Sequence, residues 1–129
     1  GKSRTLREGD DVAILAFGSM VGNALEAADL LAADGIEARV VDMRWVKPLD
    51  EEAIAAAATT KLVVTVENGI ISGGAGEGVL EVLSRQGATV PTLVRGIDDQ
   101  FVPHGKPAQL LASLALDPEG LATSIKAAL

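Results

Sequence analysis

Cysteine is absent from the 129-residue sequence, and aromatic side chains are nearly so. Without thiols the chain can form no disulfide, no thiolate nucleophile and no zinc–thiolate site, and this composition suits a reducing compartment such as the cytoplasm. Aromatic residues make up 2% of the sequence, as Phe17, Trp45 and Phe101. Alanine and branched aliphatic side chains must therefore fill the core, which favours closely packed layers of helix and sheet.

Positive charge is also scarce, because Lys and Arg number 11 against 18 Asp and Glu, for a formal net charge of −7. An acidic chain with so few aromatic residues lacks the basic surface and the stacking side chains that nucleic-acid binding requires. It has no polybasic membrane patch and no apolar run near the ~18 residues of a membrane span. We therefore expect no nucleic-acid partner and no membrane partner. The sequence does not begin with Met, so we expect a piece of a longer chain.

Short apolar runs alternate with amphipathic stretches along the chain, and no linker or repeat divides it, so we expect one domain over residues 1–129. The runs predict buried strands at 12–17, 38–43, 61–67 and 92–95. The amphipathic stretches predict helices over about 21–32, 51–58, 79–86, 107–114 and 118–128. Expected N-caps are Ser19, Asp50 and Asp117, and expected C-terminal stops are Gly35 and Gly87. This order is typical of a parallel sheet with helices on both faces.

A glycine-rich stretch, residues 69–78, follows the third of these strands and leads into a helix, where a phosphate-binding loop would lie. Its spacing fails two common fingerprints. After Gly74 and Gly76, valine occupies the third glycine position of a dinucleotide site, and no Lys follows the last glycine as in a P-loop. We therefore favour a tight turn that lets the helix pack closely on its neighbours, with Gly73, Gly74 and Gly76 as the residues concerned.

Glu67 stands at the carboxyl end of the third strand, on the edge where parallel sheets bind their ligands. It could act as a general base, or its carboxylate could accept backbone N–H bonds from the glycine stretch, which we favour. With Glu77 it places negative charge on both sides of the glycines, which disfavours a phosphate ligand.

The other candidate residues form no complete catalytic set. His104 is the only histidine, and no nucleophile motif accompanies it. Asp98, Asp99 and His104 could hold a metal ion, but acids in such a loop more often form turns. Trp45, beside Arg44 after the second strand, could bind an anion, and we favour a packing or interface contact there.

Residues 12–50, VAILAFGSMVGNALEAADLLAADGIEARVVDMRWVKPLD, resemble the C-terminal domain shared by transketolase-like thiamine-diphosphate enzymes. Pyruvate-dehydrogenase-type beta chains have similar motifs in this domain, so residues 12–50 resemble them as well. Three further segments are similar to the C-terminal region of the 1-deoxy-D-xylulose-5-phosphate synthase family: VTVENGIISGGAGEGV at 64–79, GIDDQFVPHG at 96–105 and LALDPEGL at 114–121. The resemblance covers essentially the whole chain. One departure is Asn68, where many relatives carry a second acid.

The resemblance implies a three-layer α/β/α fold around a five-stranded mixed sheet, with four strands parallel and one antiparallel. We assign the antiparallel strand to about Ser3–Arg7. The sequence by itself would pair that strand with the next one as a hairpin. The family order places it beside the second parallel strand, at 38–43, and we adopt that order.

The resemblance also implies a function for the parent enzyme, which would condense pyruvate with D-glyceraldehyde 3-phosphate and release carbon dioxide. The product feeds non-mevalonate isoprenoid synthesis and thiamine synthesis. In the family, a homodimer binds thiamine diphosphate and Mg²⁺ in two other domains, through a Gly-Asp-Gly…Asn motif and an activating Glu. Neither is found in this chain, where Gly9-Asp10-Asp11 is the nearest match. We therefore assign no catalytic, cofactor-binding or metal-binding residue here, and the candidate interface or loop residues are Trp45, Glu67, Asn68, Gly73, Gly74, Gly76 and His104.

Two classes of function then compete. The first is a catalytically silent, interface-forming C-terminal domain, whose partners are the N-terminal and middle domains of a thiamine-diphosphate enzyme. The enzyme would be the synthase or, as an alternative, a transketolase or a pyruvate-dehydrogenase-type beta chain. The second is a free-standing α/β module that binds a nucleotide or another anion at residues 69–78. The failed fingerprints favour the first class.

Overall fold

The structure is a computed structural model that describes residues 2–44, 48–70, 74–97 and 116–129. The strands are β1 (Arg4–Arg7), β2 (Val12–Ala16), β3 (Ala38–Asp42), β4 (Leu62–Ile70) and β5 (Thr92–Ile97). The helices are α1 (Val21–Ala33), α2 (Glu51–Ala57), α3 (Ala75–Arg85) and α4 (Pro118–Ala128), with a 3-10 turn at Gly18–Met20 before α1. The helix predicted at 107–114 and the loop at 98–105 lie outside these residues, as do Trp45, Gly73 and His104.

The strands form one sheet in the order β1-β3-β2-β4-β5. All neighbouring pairs are parallel except β1 with β3, which is antiparallel and sets Arg4 opposite Asp42. The mixed five-stranded sheet, and the place of the first strand beside the second parallel strand, are confirmed. The hairpin that the sequence alone would suggest is wrong.

The turn between β1 and β2 crosses the beginning of β3, which lies between these two strands. They lie on opposite sides of β3, so the turn must pass close to the beginning of that strand. A Cβ added at Gly9 would lie 2.5 Å from the carbonyl carbon of Ala38 and 2.7 Å from the amide nitrogen of Arg39. Only glycine can bring its backbone this close, so Gly9 permits the crossing.

Helices cover both faces of the sheet and form the two outer layers of the expected three-layer fold. On one face α1 and α4 pack against alternate residues of β2, β3 and β4, in a cluster that includes Ile14, Leu31, Val40 and Ile125. On the other face α2 and α3 pack against the intervening residues, in a cluster that includes Leu15, Ile54, Val63 and Val79. The central strands are buried on both faces, which is why β2 is apolar throughout.

Most of the predicted helix ends are confirmed. Asp50 accepts a hydrogen bond from the amide of Ala53, and Asp117 accepts one from the amide of Gly120, so each carboxylate caps its helix. Helix α1 ends at Ala33, and Gly35 stops it two residues later with a φ of +79°, in the left-handed region that favours glycine. The cap predicted at Ser19 is wrong, because the chain first makes a 3-10 turn and Ser19 is exposed within it.

The glycine-rich stretch is less loop-like than predicted. Strand β4 continues to Ile70, and α3 begins at Ala75 instead of near residue 79, so Gly76 lies inside the helix. Hydrogen bonding to the neighbouring β5 extends β4, with a register shift between Val66 and Ile70. Within the described part of the chain, no helix has both the length and the apolar character needed to cross a bilayer.

Candidate functional site

The candidate site lies at the carboxyl edge of the sheet, where β4 ends and α3 begins. Residues 62–68 of β4 are described with their side chains, and so is the helix from Gly74 onward. Of the predicted site residues, this segment contains Glu67, Asn68, Gly74 and Gly76. The carboxyl end of β2 is adjacent, because the amide of Phe17 donates a hydrogen bond to the carbonyl oxygen of Val66 at 3.0 Å.

Glu67 connects the strand to the helix. Its side chain lies on the face that α3 covers, and the residue is 5% exposed. Its Oε2 accepts a hydrogen bond from the backbone amide of Ala75 at 2.6 Å. Because Gly74 occupies the N-cap position and has no side chain to offer, the strand carboxylate does what a capping Ser or Asp does at other helices. The hydrogen bond predicted between Glu67 and the glycine stretch is therefore present.

The pKa of the Glu67 carboxyl is raised above its ordinary value. Burial is the largest cause, and the negative charge of Glu77 acts in the same direction. The hydrogen bond from the backbone amide of Ala75 and the nearby amide of Gly76 lower the pKa, because both favour the ionised form. Burial outweighs the effect of these two amides.

The second carboxylate oxygen, Oε1, is buried and accepts no hydrogen bond from the residues that the structure describes. The hydroxyl of Thr65, two residues earlier on the same face of β4, is also buried and has no partner within the same residues. Both oxygens lie near Gly76. A Cβ added at Gly76 would be 2.8 Å from Thr65 Oγ1 and 3.7 Å from Glu67 Oε1.

Gly76 is the glycine on which close packing depends. The added Cβ would also lie 2.6 Å from Val94 Cγ1 on β5, a separation that real Cβ atoms essentially never show. Gly74 differs, because its backbone is extended, with φ −85° and ψ −175°, and other residues adopt that conformation freely. The close approach predicted for the glycine stretch is thus found at Gly76, whereas Gly74 needs no special conformation.

This geometry opposes phosphate binding at the start of α3. A phosphate would need the first amides of the helix, and the amide of Ala75 already donates to Glu67. A phosphate there would also meet the negative charges of Glu67 and Glu77. A general base has to reach its substrate, but Glu67 is almost fully buried and one of its oxygens is committed to the helix.

The other predicted site residues add little chemistry. Asn68 is exposed next to Glu67. Among the described residues, no group of three or more His, Asp or Glu side chains could hold a metal ion. The set Asp98, Asp99 and His104 lies outside them and stays a prediction.

Reasoning from the sequence missed Thr65. A signal was available in KLVVTVE, where a single hydroxyl interrupts an apolar run two positions before the glutamate, and hence on the same face of the strand. The run looked uniformly buried, and buried threonines commonly satisfy their hydroxyls within their own backbone.

The strand order, with helices on both faces of the sheet, agrees with one class of domain. The sequence matches the family model described as the C-terminal domain of transketolase over residues 1–121. The chain belongs to the transketolase C-terminal domain family.

Curated relatives show to which enzymes with this domain the chain is similar. The chain is 47% identical over 128 residues to a 1-deoxy-D-xylulose-5-phosphate synthase from Nitrosospira multiformis, and 50% identical over 127 residues to the enzyme of that name from Chromobacterium violaceum. Each match covers 98% of this chain and 20% of the relative. The chain therefore spans about a fifth of the length of these relatives.

Solved structures agree with the fold. A split-gene transketolase, described as an inactive beta4 tetramer, has a TM-score of 0.91 and 40% identity, and the match covers 99% of this chain and 42% of that one. A transketolase mutant from Pichia stipitis has a TM-score of 0.70 at 22% identity over 98% of this chain and 18% of that one, which supports the fold alone.

Proposed function

We propose that this chain is the C-terminal domain of a 1-deoxy-D-xylulose-5-phosphate synthase. The parent enzyme would condense pyruvate with D-glyceraldehyde 3-phosphate and release carbon dioxide, as a step in non-mevalonate isoprenoid synthesis. The observation that carries this proposal is the 47–50% identity to synthases along almost the entire chain, at about a fifth of their length. Identity to the split-gene transketolase is lower, at 40%.

The domain itself is proposed to be catalytically silent. Thiamine diphosphate is held in proteins by a metal ion that bridges its phosphates and by a carboxylate on its ring. The described residues do not fit these needs, because they contain no metal-binding cluster and the first amide of α3 is occupied by Glu67. The cofactor and Mg²⁺ would bind to other domains of the parent, and this domain would contribute packing and interface contacts.

The quaternary structure and the cellular location are part of the same proposal. The parent would be a cytoplasmic homodimer in which the N-terminal and middle domains contact this one. Most of the dimer interface would belong to those domains, so the separate domain should be a monomer or a weak dimer. Analytical ultracentrifugation at micromolar concentration tests this, and a tight dimer would contradict it.

A domain exchange tests the parent activity. In the synthase from Chromobacterium violaceum, the segment that this chain matches is replaced by this chain. We expect the chimera to form 1-deoxy-D-xylulose 5-phosphate, because half of the residues in the exchanged segment are identical. The matched control puts the chain into the Pichia stipitis transketolase, where 22% identity should leave mismatched contacts and an inactive enzyme. An inactive synthase chimera that is folded and of native assembly would contradict the proposal.

Calorimetry separates the proposal from the anion-binding alternative. The 129-residue chain is titrated with thiamine diphosphate and Mg²⁺, and separately with nucleotides. We expect no saturable heat in either titration, and no product when pyruvate and glyceraldehyde 3-phosphate are added. Micromolar binding of either ligand would favour an anion site at residues 69–78 over a silent domain.

A further inference from the structure

Cyclisation of an asparagine side chain onto the next backbone nitrogen is a slow reaction that needs no enzyme. It is fastest before glycine, which has no Cβ to crowd that nitrogen. The sequence contains two asparagines, in Asn23-Ala24 and Asn68-Gly69, and aspartate reacts in the same way at its one Asp-Gly pair, Asp34-Gly35. The structure gives these three sites different surroundings.

Asn23 is held by the fold. It lies half-buried in α1, and its Nδ2 donates a hydrogen bond to the carbonyl oxygen of Leu116, just before α4, at 3.2 Å. The residue that follows it, Ala24, is fully buried in the same helix. Attack on the Asn23 side chain would therefore require α1 to unwind and the contact with Leu116 to break.

The Asp34-Gly35 pair is held in a different way, at the end of α1. The backbone nitrogen of Gly35, which would have to attack, donates a hydrogen bond to the carbonyl oxygen of Ala32 at 3.0 Å. The carboxylate of Asp34 pairs with Lys126 Nζ of α4 at 2.8 Å. Both reacting groups are thus engaged in the folded chain.

Asn68 lies beyond the regular pairing of β4. The ladder with β2 ends at Val66. The ladder with β5 also breaks there, and pairing resumes only at Ile70. Three residues of β4, 67–69, therefore lie opposite one residue of β5, Gly96, and extra residues of this kind interrupt the ladder and bend the strand. Asn68 is also exposed, so its side chain is open to water.

From this contrast we infer that Asn68 is a site of spontaneous deamidation in the folded chain, whereas Asn23 and Asp34 are protected. Asn68 combines three features that neither of the other sites combines. Glycine follows it, its backbone lies outside both ladders, and its side chain is exposed. The inference concerns the chain alone and does not depend on the activity of the parent.

The reaction needs only solvent water. The backbone nitrogen of Gly69 loses its proton and attacks Cγ of Asn68, forming a new C–N bond. The side-chain nitrogen takes up a proton and leaves as ammonia. Water then opens the cyclic imide at either carbonyl carbon. Opening at one carbon gives aspartate, and opening at the other gives isoaspartate, in which the chain continues through the side chain.

Either product adds a negative charge at the carboxyl edge of the sheet. The formal net charge of the chain becomes one unit more negative than −7. The new carboxylate directly follows Glu67, and isoaspartate also lengthens the backbone of β4 by one carbon atom at the bulge. Deamidation is therefore a slow change of charge at the edge where parallel sheets bind their ligands.

Ageing of the 129-residue chain tests the site. The chain is kept for several weeks at pH 7.5 and 37 °C, both folded and in guanidinium chloride, and peptide mass spectrometry follows the three sites. In the folded chain we expect conversion of Asn68 to aspartate and isoaspartate, an intact Asn23 and no isoaspartate at Asp34. Denaturation should accelerate the reaction at Asn23 and Asp34 much more than at Asn68.

Two further measurements identify the reaction. At pH 6 the conversion of Asn68 should be slower, because less of the Gly69 nitrogen is deprotonated. In isoelectric focusing, the more acidic band that accumulates on ageing should migrate with the Asn68→Asp variant.

Variants at the site separate the reaction from the stability of the fold. Asn68→Gln should fold normally, because the residue is exposed, and its longer side chain closes a larger ring far more slowly, so no conversion should be seen. Gly69→Ala should slow the conversion of Asn68 about tenfold, because its Cβ crowds the attacking nitrogen. Asn23→Gln is the matched control and should leave the conversion of Asn68 unchanged.

The inference would be overturned if Asn68 kept its amide in the folded chain while the denatured chain lost it, because β4 would then protect the site. It would also be overturned if isoaspartate formed at Asp34 in the folded chain as fast as at Asn68, or if Asn68 were converted at the unmodified rate in Gly69→Ala.

Discussion

Each face of the sheet is covered by a pair of helices, but the side chains buried on the two faces differ in chemistry. Under α1 and α4 the buried cluster is apolar throughout. Under α2 and α3 the cluster is also apolar at its centre, but Thr65 and Glu67 are buried toward the carboxyl edge. The third buried polar residue within the described chain, Thr60, lies in the turn after α2, where its hydroxyl is within hydrogen-bond distance of the carbonyl oxygens of Ala57 and Leu62 and so has an acceptor. Within the described residues, the comparison separates a face that buries only apolar side chains from one that also buries a carboxylate and a hydroxyl at its carboxyl edge.

The largest effect is expected on the apolar face. Leu31 of α1 is fully buried in its cluster, so Leu31→Ala should lower the free energy of unfolding by about 2–5 kcal/mol through lost burial and a residual cavity. Urea denaturation measures this change. The pH dependence of stability should be unaltered, because this face holds no buried titratable side chain within the described residues. A change in that pH dependence would mean that the two faces are coupled.

The next effect concerns Gly76 on the α2 and α3 face. Gly76→Ala should destabilise the chain by about 1–3 kcal/mol, because the new methyl group would overlap Val94 Cγ1 and Thr65 Oγ1. Gly78→Ala is the matched control in the same turn, since its Cβ would meet only Leu49 Cδ1 at 3.1 Å, the movable end of a side chain. The control should be neutral or stabilising because alanine favours helix. Equal denaturation midpoints for the two variants would refute the close approach at Gly76.

Gly74 supplies a sharper version of the same test. The sequence pattern predicts that Gly74→Val costs on the order of 1–3 kcal/mol through backbone strain. The extended conformation of Gly74 removes the reason for that strain. From its backbone conformation we expect Gly74→Ala to lower the free energy of unfolding by less than about 1 kcal/mol, as for other N-cap glycines. A larger loss would support the strained turn that the sequence pattern predicts.

A smaller difference is expected between the two capping aspartates, one on each face. Both Asp50→Ala and Asp117→Ala should cost about 0.5–2 kcal/mol through the lost cap. Asp50 should cost more, because its carboxylate also accepts hydrogen bonds from the amide and hydroxyl of Ser3, at 2.9 and 2.8 Å. These bonds, the Ser3 amide first, hold the pKa of Asp50 below its ordinary value, so its contribution is present above its unfolded pKa and is lost as the pH falls through the folded value. Thermal unfolding of both variants between pH 2.5 and 7 measures the difference, and equal losses would show that the Ser3 contact is not stabilising.

The smallest effect is expected for Glu67→Gln, which should change the free energy of unfolding at pH 7 by at most about 1 kcal/mol, because the acceptor for Ala75 is kept. The pKa of Glu67 is raised in the folded chain, so the stability linked to this carboxyl is fully present below its unfolded pKa and is lost as the pH rises through the folded pKa. Glu67→Gln should abolish that decline, as urea denaturation at pH 4.5 and 7 would show. A steeper decline in the variant than in the unmodified chain would contradict the raised pKa.

The elements that the sequence predicted well are those with a strong local signal. Short apolar runs, separated by amphipathic stretches, located all four parallel strands. Asp50, Asp117 and Gly35 marked helix ends, because capping involves only residues that are close together in the sequence. Ser19 shows the limit of this reasoning. It has the identity of a cap and the spacing of a cap, but the 3-10 turn that follows β2 moves the start of α1 to Val21.

Only part of the candidate site could be predicted from the sequence. Glu67 could be chosen because it ends an apolar strand at the edge where ligands bind, and its bond to the glycine stretch could be anticipated. Its near-complete burial, the raised pKa and the unsatisfied hydroxyl of Thr65 could not, because they depend on where α3 lies over the strand. That position is set by contact between Gly76 and Val94, residues on elements that the local pattern does not relate to each other.

By itself, the sequence determined the layered α/β architecture and the places of most strands and helices, because burial periodicity and capping act over a few residues. Only the tertiary structure decided that β1 lies on the far side of β3 from β2, that Gly76 rather than Gly74 makes the close approach, and that Glu67 is almost fully buried beneath α3. Each of these depends on a distance between segments remote along the chain or on different elements, and such distances are fixed only when the whole core packs.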